Sequence, residues 1–334
     1  MTLYANGIKV CPTIKVSGGN IDHNGQYLVK VVDYDGTVIK QDHLDTGSTF
    51  ELPDAPTHDR LTFQSWVAPL QITNNSITVG KSDVTIGATY TTKSGLNEIG
   101  VEINAITGLT ISIRGTRGSE IDWGDNTTSI ISSSSIDHTY NEYGTYIIKS
   151  NGIINAFDSV TTQFANIASS MYQNFAVSSY VDAITVPNDF TGSMLTNFGG
   201  FSVNTFVFSP SWALSPNTRT AYFVNATNLE NLILPYGATV LAKPLTTKEY
   251  SLEKVTFPST ITSLYLFQND TTTDKPDNFS LIELNFTEHT SVPTLSASCE
   301  FRNPRLKIRV PKLLENDWKT ATNWSAMADY IVGV

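Results

Sequence analysis

The sequence is poor in cysteine, in charge and in long apolar runs. Cys11 and Cys299 are the two cysteines and lie near opposite ends of the 334-residue chain, so no local disulfide framework is available and both are expected to be free thiols. Charged residues make up 16% of the chain, against about 25% in an average protein. No apolar run approaches the ~18 residues of a membrane span, so no membrane insertion is predicted.

Basic residues are scarce as well. Lysine and arginine total 21 against 31 aspartates and glutamates, a formal net charge of −10. They form no cluster of the kind that contacts phosphates, so no nucleic-acid partner is predicted. Thr, Ser and Asn are frequent instead, and 40% of the residues are apolar, enough for a buried core. This composition is typical of β-rich extracellular or virion proteins.

Motifs that carry chemistry are missing. No two of the five histidines have metal-ligand spacing, and the chain has no nucleophile elbow, phosphate-binding loop or dinucleotide fingerprint. We therefore expect no enzymatic activity and no cofactor.

The first 94 residues divide into an arm and a small module. Residues 1–19 are the expected N-terminal arm, because "IKVCPTIKV" alternates apolar and polar residues like an edge strand. Residues 20–94 form the module, in which "QYLVKVVDYDGTVI" predicts two strands joined by a turn at Asp35-Gly36. The alternation in "SDVTIGATYTTKS" predicts its closing strand.

Four residues of this module carry a resemblance to a known repeat. Gly47 and Pro53 are the first and last residues of "GSTFELP", and Phe63 and Trp66 follow as a Phe-x-x-Trp pair. This order resembles the small β-grasp-like repeat of Listeria and Bacteroides surface proteins. The resemblance implies a spacer or adhesion module with no known chemistry.

Residues 95–158 form a second predicted module. "GLTISIRG" alternates as a strand, and the motifs "DWGD", "HTY" and "YGTY" follow it in that order. The combination resembles the PKD domain, an Ig-like β-sandwich. The residues that carry the resemblance are Asp122, Trp123, Gly124, Asp125, His138, Tyr140, Gly144 and Tyr146.

Asp122 and Asp125 bracket a Trp-Gly pair and have three interpretations. Because Gly124 accepts a positive φ and aspartate side chains bond nearby backbone N–H groups, we expect a turn. Calcium binding, seen in some domains of the resembled type, makes both carboxylates metal candidates. Carboxylate catalysis would need a third partner, which the sequence does not suggest.

Residues 159–334 contain an internal repeat. Short apolar segments are followed by prolines, and Pro187, Pro210, Pro235 and Pro258 recur every 23 to 25 residues. A proline at the end of a strand removes no interior ladder bond. Such short strands cannot bury an apolar face alone, so the repeat predicts that they stack side by side. The segments are 181–187, 203–210, 229–235, 252–258, 281–287 and 306–311.

The repeat resembles the BspA-type leucine-rich repeat, through its Leu-x-x-(Ile/Val)-x-(Leu/Phe/Val)-Pro pattern. In the final segment, Leu313, Trp318, Ala321 and Trp324 fit the capping helix of that family. A right-handed β-helix is the alternative fold, since it also stacks short strands. The expected fold class is therefore mainly β and multidomain: a β-grasp-like module, a PKD-like Ig sandwich, and a leucine-rich-repeat solenoid with a C-terminal capping helix.

Two aromatic residues between the repeats are candidate binding residues. Trp212, in "SPSWALSPN", and Tyr236, after "LILP", fall in linking segments, where an exposed ring can stack on a sugar. Four other tryptophans occupy motif positions and are expected in the core: Trp66, Trp123, Trp318 and Trp324.

The resembled modules imply a non-enzymatic structural or adhesive role. The N-terminus lacks the basic start and apolar run of a secretory signal. This favours a bacteriophage virion protein, either a capsid decoration or a tail or receptor-binding component; a bacterial cell-surface adhesin is the alternative. We expect residues 1–94 to bind other virion proteins and the repeat domain to contact a host surface glycan or protein. A homo-oligomer is compatible with either role.

Overall fold

The structure is a computed structural model that describes part of the chain. The described residues are 3–5, 8–10, 25–92, 97–103, 108–152, 154–158, 161–166, 183–188, 203–211, 228–241, 251–266, 280–297, 301 and 303–334. The protein is mainly β, as predicted, with 44% of residues in strands and 8% in helices. Within the described ranges, no helix has the length and apolar character needed to cross a membrane.

The first unit, residues 25–92, contains a four-stranded sheet and a short strand pair. It follows a hairpin of β1 (Leu3–Ala5) and β2 (Ile8–Val10). Its strands are β3 (Gln26–Val32), β4 (Val38–Asp45), β5 (Thr49–Glu51), β6 (Leu61–Val67), β7 (Ser76–Thr78) and β8 (Val84–Thr92). The sheet order is β4-β3-β8-β6 with β3 and β8 parallel, and β5 pairs with β7. The predicted turn between β3 and β4 is confirmed, with Gly36 at a φ of 85°.

Strand β8 is buried on both faces. Val84, Ile86 and Tyr90 face the core of the first unit, as their alternation predicts. Gly87 and Thr89, which point the other way, are buried too. The second face is covered because the repeat region packs against it, which the pattern of this strand alone does not indicate.

The second unit is made of two sheets that share a core. Its strands are β9 (Asn97–Ile103), β10 (Leu109–Gly115), β11 (Glu120–Asp122), β12 (Thr128–Ile130), β13 (Ser135–Tyr140), β14 (Gly144–Ser150), β15 (Ile154–Asp158) and β16 (Thr161–Asn166). One sheet has the order β13-β10-β15 and the other begins β12-β11-β14-β9-β16. Ile111, Trp123 and Ile148 pack in the shared core. The second sheet continues past residue 158, since β16 pairs with β9.

The repeat region contains two rows of short parallel strands. Its strands are β17 (Ile184–Thr185), β18 (Thr205–Val207), β19 (Asn231–Ile233), β20 (Val240–Leu241), β21 (Lys254–Thr256), β22 (Ser263–Leu264), β23 (Glu283–Asn285), β24 (Thr294–Leu295), β25 (Lys307–Val310) and β26 (Ile331–Gly333). The first row includes the pair β18-β19 and the sheet β21-β23-β25-β26, and the second is β20-β22-β24. Strand β17 lies beside β18, and β19 beside β21.

The predicted stacking of short apolar strands is confirmed in the described repeats. All six predicted segments contain a short strand: β17, β18, β19, β21, β23 and β25. Parallel pairing joins β18 to β19, β21 to β23 and β23 to β25, whereas β17 pairs with β16 of the second unit. Equivalent apolar residues face each other in register: Phe206 opposite Leu232, and Val255, Leu284, Ile308 and Ile331 in sequence along the other sheet. All of these residues are buried in one continuous core.

The C-terminal segment is helical but is broken into short pieces. A 3₁₀ turn (Lys312–Leu314), helix α1 (Glu315–Thr320) and a second 3₁₀ segment (Ser325–Tyr330) precede β26, which adds a parallel strand to the sheet. A single helix cannot run through because Ala321 is extended and Asn323 has a φ of 66°. Trp318 and Trp324 are fully buried, whereas Leu313 is 96% exposed and takes no part in the packing.

One face of the four-stranded sheet of the first unit packs against the first row of repeat strands, at β18 and β19. Val32 and Val67 of the first unit form a buried cluster with Val207 and Ile233 of the repeats. Gly87 makes this approach close, since a Cβ at that position would lie 2.4 Å from Val207 Cγ2. The first unit and the repeats are therefore joined through a packed apolar interface.

Candidate functional site

A polar cleft of about 370 Å³ lies where the first unit meets the repeat region. Strand β3 and the start of β8 form one wall, and β19 and β21 form the other. The charged residues that line it are Lys30, Asp83, Glu230, Glu253 and Lys254. A volume of this size is within the range of small-molecule sites, about 300–1,000 Å³.

Lys30 reaches across the cleft from β3 to the repeat region. Its Nζ donates a hydrogen bond of 2.7 Å to Asn231 Oδ1. Asn231 is oriented for this contact, because its Nδ2 donates to Thr205 Oγ1 at 2.9 Å. Burial lowers the pKa of Lys30, the nearby Glu230 carboxylate raises it, and Lys254 lowers it further, with the net shift downward.

Asp83 ties the second wall to the first. Its Oδ2 accepts a hydrogen bond of 2.5 Å from Lys254 Nζ, and its Oδ1 accepts one of 2.9 Å from the Leu28 backbone N–H. Thr256 Oγ1 donates to the Asp83 carbonyl at 3.0 Å. The ion pair is partly shielded from water, with the Lys254 side chain 29% and the Asp83 side chain 16% exposed. Both lysines are thereby held by residues on the opposite wall.

The rest of the lining mixes apolar and neutral polar groups. Leu28 supplies an apolar part, and Thr85 and Ser251 add hydroxyl groups. The side chains of Val84 and Leu232 are buried in the cores on either side of the cleft. The cleft therefore offers N–H donors, carboxylate acceptors and an apolar surface within one small volume. This arrangement suits the binding of a polar small molecule.

Sequence reasoning missed the cleft because its parts are far apart in the chain. Lys30 and Asn231 are separated by 201 residues, and Asp83 and Lys254 by 171. None of these residues belongs to a short motif. Only the packing of the first unit on the repeats brings them together.

The Asp122–Asp125 segment has the geometry of a turn. The Gly124 N–H donates to Asp122 Oδ1 at 2.9 Å, the Thr127 N–H donates to Asp125 Oδ1 at 3.1 Å, and Gly124 has a φ of 77°. The turn interpretation is confirmed by these contacts. Among the described residues, no three His, Cys, Asp or Glu side chains lie close enough together to hold a metal ion.

Asp125 also anchors the strand that returns from the turn. Its Oδ2 lies 2.7 Å from His138 Nε2, and the His138 ring stacks on Trp123 with centroids 4.6 Å apart. Tyr140 Oη donates to the Trp123 carbonyl at 2.7 Å. Burial raises the pKa of Asp125, but hydrogen bonds from Thr127 and His138 outweigh it and hold the pKa below its ordinary value.

The two candidate aromatic residues differ in what the structure describes. Trp212 lies outside the described residues. Tyr236 is 40% exposed, and its backbone N–H donates to the Ala68 carbonyl at 2.7 Å, at the border between the repeats and the first unit. Tyr236 does not line the cleft.

A second polar pair, His58 and Asp33, lies in the first unit, with the Asp33 side chain 5% and the His58 side chain 27% exposed. His58 Nε2 lies 2.9 Å from Asp33 Oδ2, and the His58 ring packs edge-on against Tyr34 and Tyr90. Burial raises the pKa of both tyrosines above the ordinary range, and nearby aspartates add to the effect. The pair fixes the loop that carries His58 onto the sheet.

Comparison with known proteins gives no relative for this chain. No protein-family model, no curated protein and no solved structure matches it.

Proposed function

We propose that this protein is a non-enzymatic structural component of a bacteriophage virion. In this role it is a capsid decoration or a tail or receptor-binding protein that attaches the particle to a host surface glycan or protein. The observation that carries the proposal is the packed apolar interface between the sheet of the first unit and the repeats. This joint makes a stiff scaffold that presents a ligand-sized cleft.

The joint is extensive as well as apolar. Tyr90 N–H donates to Thr185 Oγ1 at 3.1 Å near the first described repeat, and Lys81 N–H donates to Glu288 Oε1 at 2.9 Å near a late one. Such an interface resists bending between the two parts, because bending would expose Val207 and Ile233 to water. A rigid scaffold of this kind suits a protein that holds a binding surface at a fixed distance from a particle.

We propose the finer folds on the same basis. A β-grasp-like module for the first unit is supported by the parallel β3–β8 pair inside an otherwise antiparallel sheet. A PKD-like sandwich is supported by the packing of Trp123 with His138 and Tyr140. A leucine-rich-repeat solenoid with a helical cap is supported by the parallel apolar row and by Trp318, which packs the C-terminal segment into the core of the repeats.

The first unit is the part proposed to dock onto the particle. One face of its sheet is covered by the repeats, so a virion partner would use another surface. Strand β4 is an edge strand of that sheet and is mostly exposed. An exposed edge can accept a strand from another chain.

The proposal is tested by locating the protein. Mass spectrometry of density-purified phage particles and of the cell-envelope fraction of the same host culture should find the protein at constant stoichiometry in particles. Antibodies against it should slow adsorption of particles to host cells. Enrichment in the envelope fraction with none in particles would contradict the virion role and favour the adhesin alternative.

A further inference from the structure

We infer that the cleft between the first unit and the repeats binds one sugar residue of a glycan, held by Lys30 and Glu230 on its hydroxyl groups and by Leu28 on its C–H face. The inference rests on the proposed attachment function and gives that function a ligand class and a site.

The ammonium group of Lys30 is only partly used. An ammonium group has three N–H donors, and within the described structure Lys30 uses one of them, on Asn231 Oδ1. The Asn231 amide is fixed by Thr205, so Lys30 Nζ is held in place rather than free to swing into solvent. A fixed donor with spare hydrogens is what a hydroxyl or ring oxygen needs, because little side-chain entropy is lost on binding.

Acceptors and an apolar surface lie beside these donors. Glu230 is exposed at the cleft, and its carboxylate is close enough to raise the pKa of Lys30. Leu28 is half-buried and lies two residues before Lys30 on β3, so it gives the lining an apolar surface beside the charged groups. A sugar ring has hydroxyl groups around its edge, which both donate and accept, and C–H groups on its faces. The cleft offers the complement of each.

The charge pattern disfavours other small ligands. Three carboxylates against two lysines repel a phosphate or another anion. A metal ion is disfavoured because both Asp83 oxygens already accept hydrogen bonds and the lysines repel a cation. A neutral sugar is subject neither to repulsion by the carboxylates nor to repulsion by the lysines.

The experiment uses the full chain on an array of bacterial O-antigen and cell-wall oligosaccharides. The strongest binder is then titrated calorimetrically against the wild type and two cleft variants. Lys30→Met removes the donors while keeping the unbranched apolar part of the side chain, and Glu230→Gln removes the exposed charge with the same shape. Each variant should weaken binding about tenfold or more, as expected for lost hydrogen bonds to a charged group.

A matched control separates the cleft from general surface charge. Lys307→Met makes the same change on an exposed strand residue of a later repeat that does not line the cleft, and should leave affinity unchanged. Thermal unfolding of each variant checks that it is folded. Glu230 is exposed, so Glu230→Gln should fold normally and still tests the cleft if Lys30→Met does not fold.

The outcomes distinguish this inference from the proposed function. Absence of binding to every glycan on the array, or binding that both folded cleft variants retain, overturns the cleft site even if the protein is found in virions. Binding that is lost in the variants supports the site, even if the protein is found in the envelope and the virion role fails.

Discussion

Gly87 of β8 and Val207 of β18 are in such close contact that no side chain fits between them. A Cβ on Gly87 would lie 2.4 Å from Val207 Cγ2 and 3.4 Å from Ile233 Cδ1. Val207 cannot easily move aside, because it packs in a buried cluster with Val32 and Val67. Glycine at this position therefore allows the first unit to pack directly against the repeats.

Gly87→Ala should destabilise the protein, because the added methyl group would push the first unit away from the repeats. Overpacking of a well-packed site costs about 1–3 kcal/mol of unfolding free energy. Urea unfolding followed by tryptophan fluorescence measures the change. The comparison is Gly80→Ala, whose added Cβ meets only the flexible side chain of Glu288. Glu288 can turn away with the loss of one exposed hydrogen bond from the Lys81 N–H, so this variant should cost less, about 0.5–1 kcal/mol. Equal unfolding free energies for the two variants would mean that the interface is not closely packed in solution.

Acid should weaken the repeat core through His289. The residue is 4% exposed and packs against Phe286 and Trp318, and burial lowers its pKa from 6.5 to about 4. The unfolded chain binds a proton below about pH 6.5 while the folded chain does not. Stability from the neutral ring is therefore complete above that pH and is lost between about 6.5 and 4, in total by about 3 kcal/mol.

The measurement compares wild type with His289→Phe by urea unfolding at pH 7 and at pH 4. Carboxylates also titrate in this range, so the informative quantity is the difference between the two proteins. The wild type should lose about 3 kcal/mol more than the variant. His43→Gln, at an exposed position on β4, should behave like the wild type. Identical pH dependence in all three proteins would show that His289 is hydrated in the folded state.

Local patterns predicted the elements of this fold better than the way they pack together. The repeated prolines mark the ends of β17, β18, β19, β21 and β25, because a proline cannot donate to the next strand. The turn at Gly124 follows from local chemistry in the same way. These features depend on residues that are neighbours in sequence.

The cleft and the joint depend on residues that are distant in sequence. Thr89 looks like a solvent-facing strand residue, yet it is buried and donates to Asn188 Oδ1 at 2.7 Å. From the sequence, Lys30 and Lys254 are indistinguishable from ordinary surface lysines. In the structure, each forms a hydrogen bond with a residue on the opposite wall of the cleft. Leu313 shows the opposite error, since an apolar residue in a helical pattern proved to face the solvent.

Asp125→Ala should cost more stability than Asp122→Ala. Asp125 accepts hydrogen bonds from the Thr127 N–H, from Thr127 Oγ1 and from His138, whereas the described bond of the Asp122 side chain is to the Gly124 N–H. Loss of the Asp125 carboxylate should cost about 1.5–3 kcal/mol and loss of Asp122 about 1 kcal/mol. Thermal unfolding at neutral pH measures both, and a larger loss for Asp122 would contradict the anchoring role of Asp125.

The pH dependence of this site has a definite sign. The pKa of Asp125 is lowered by its hydrogen bonds, so its contribution is complete above the ordinary value of 3.8 and is lost as the pH falls below it. A calcium titration separates the turn from the metal alternative. Under the turn interpretation the Tm is unchanged by calcium, whereas bound calcium would raise it in the wild type and not in Asp125→Ala.

The C-terminal segment should depend on Trp318 and not on Leu313. Trp318 is fully buried, with its ring centroid 4.9 Å from Phe286 and 4.5 Å from Trp324, so Trp318→Ala should cost about 3–5 kcal/mol of unfolding free energy. Leu313→Ala removes a side chain that is 96% exposed and should change it by less than about 0.5 kcal/mol. Urea unfolding of both variants gives the comparison. A large cost for Leu313→Ala would mean that another surface covers this leucine in solution. Repeating the measurement over a range of protein concentrations would show whether that surface belongs to a second copy of the chain. Stability gained by self-association rises with protein concentration.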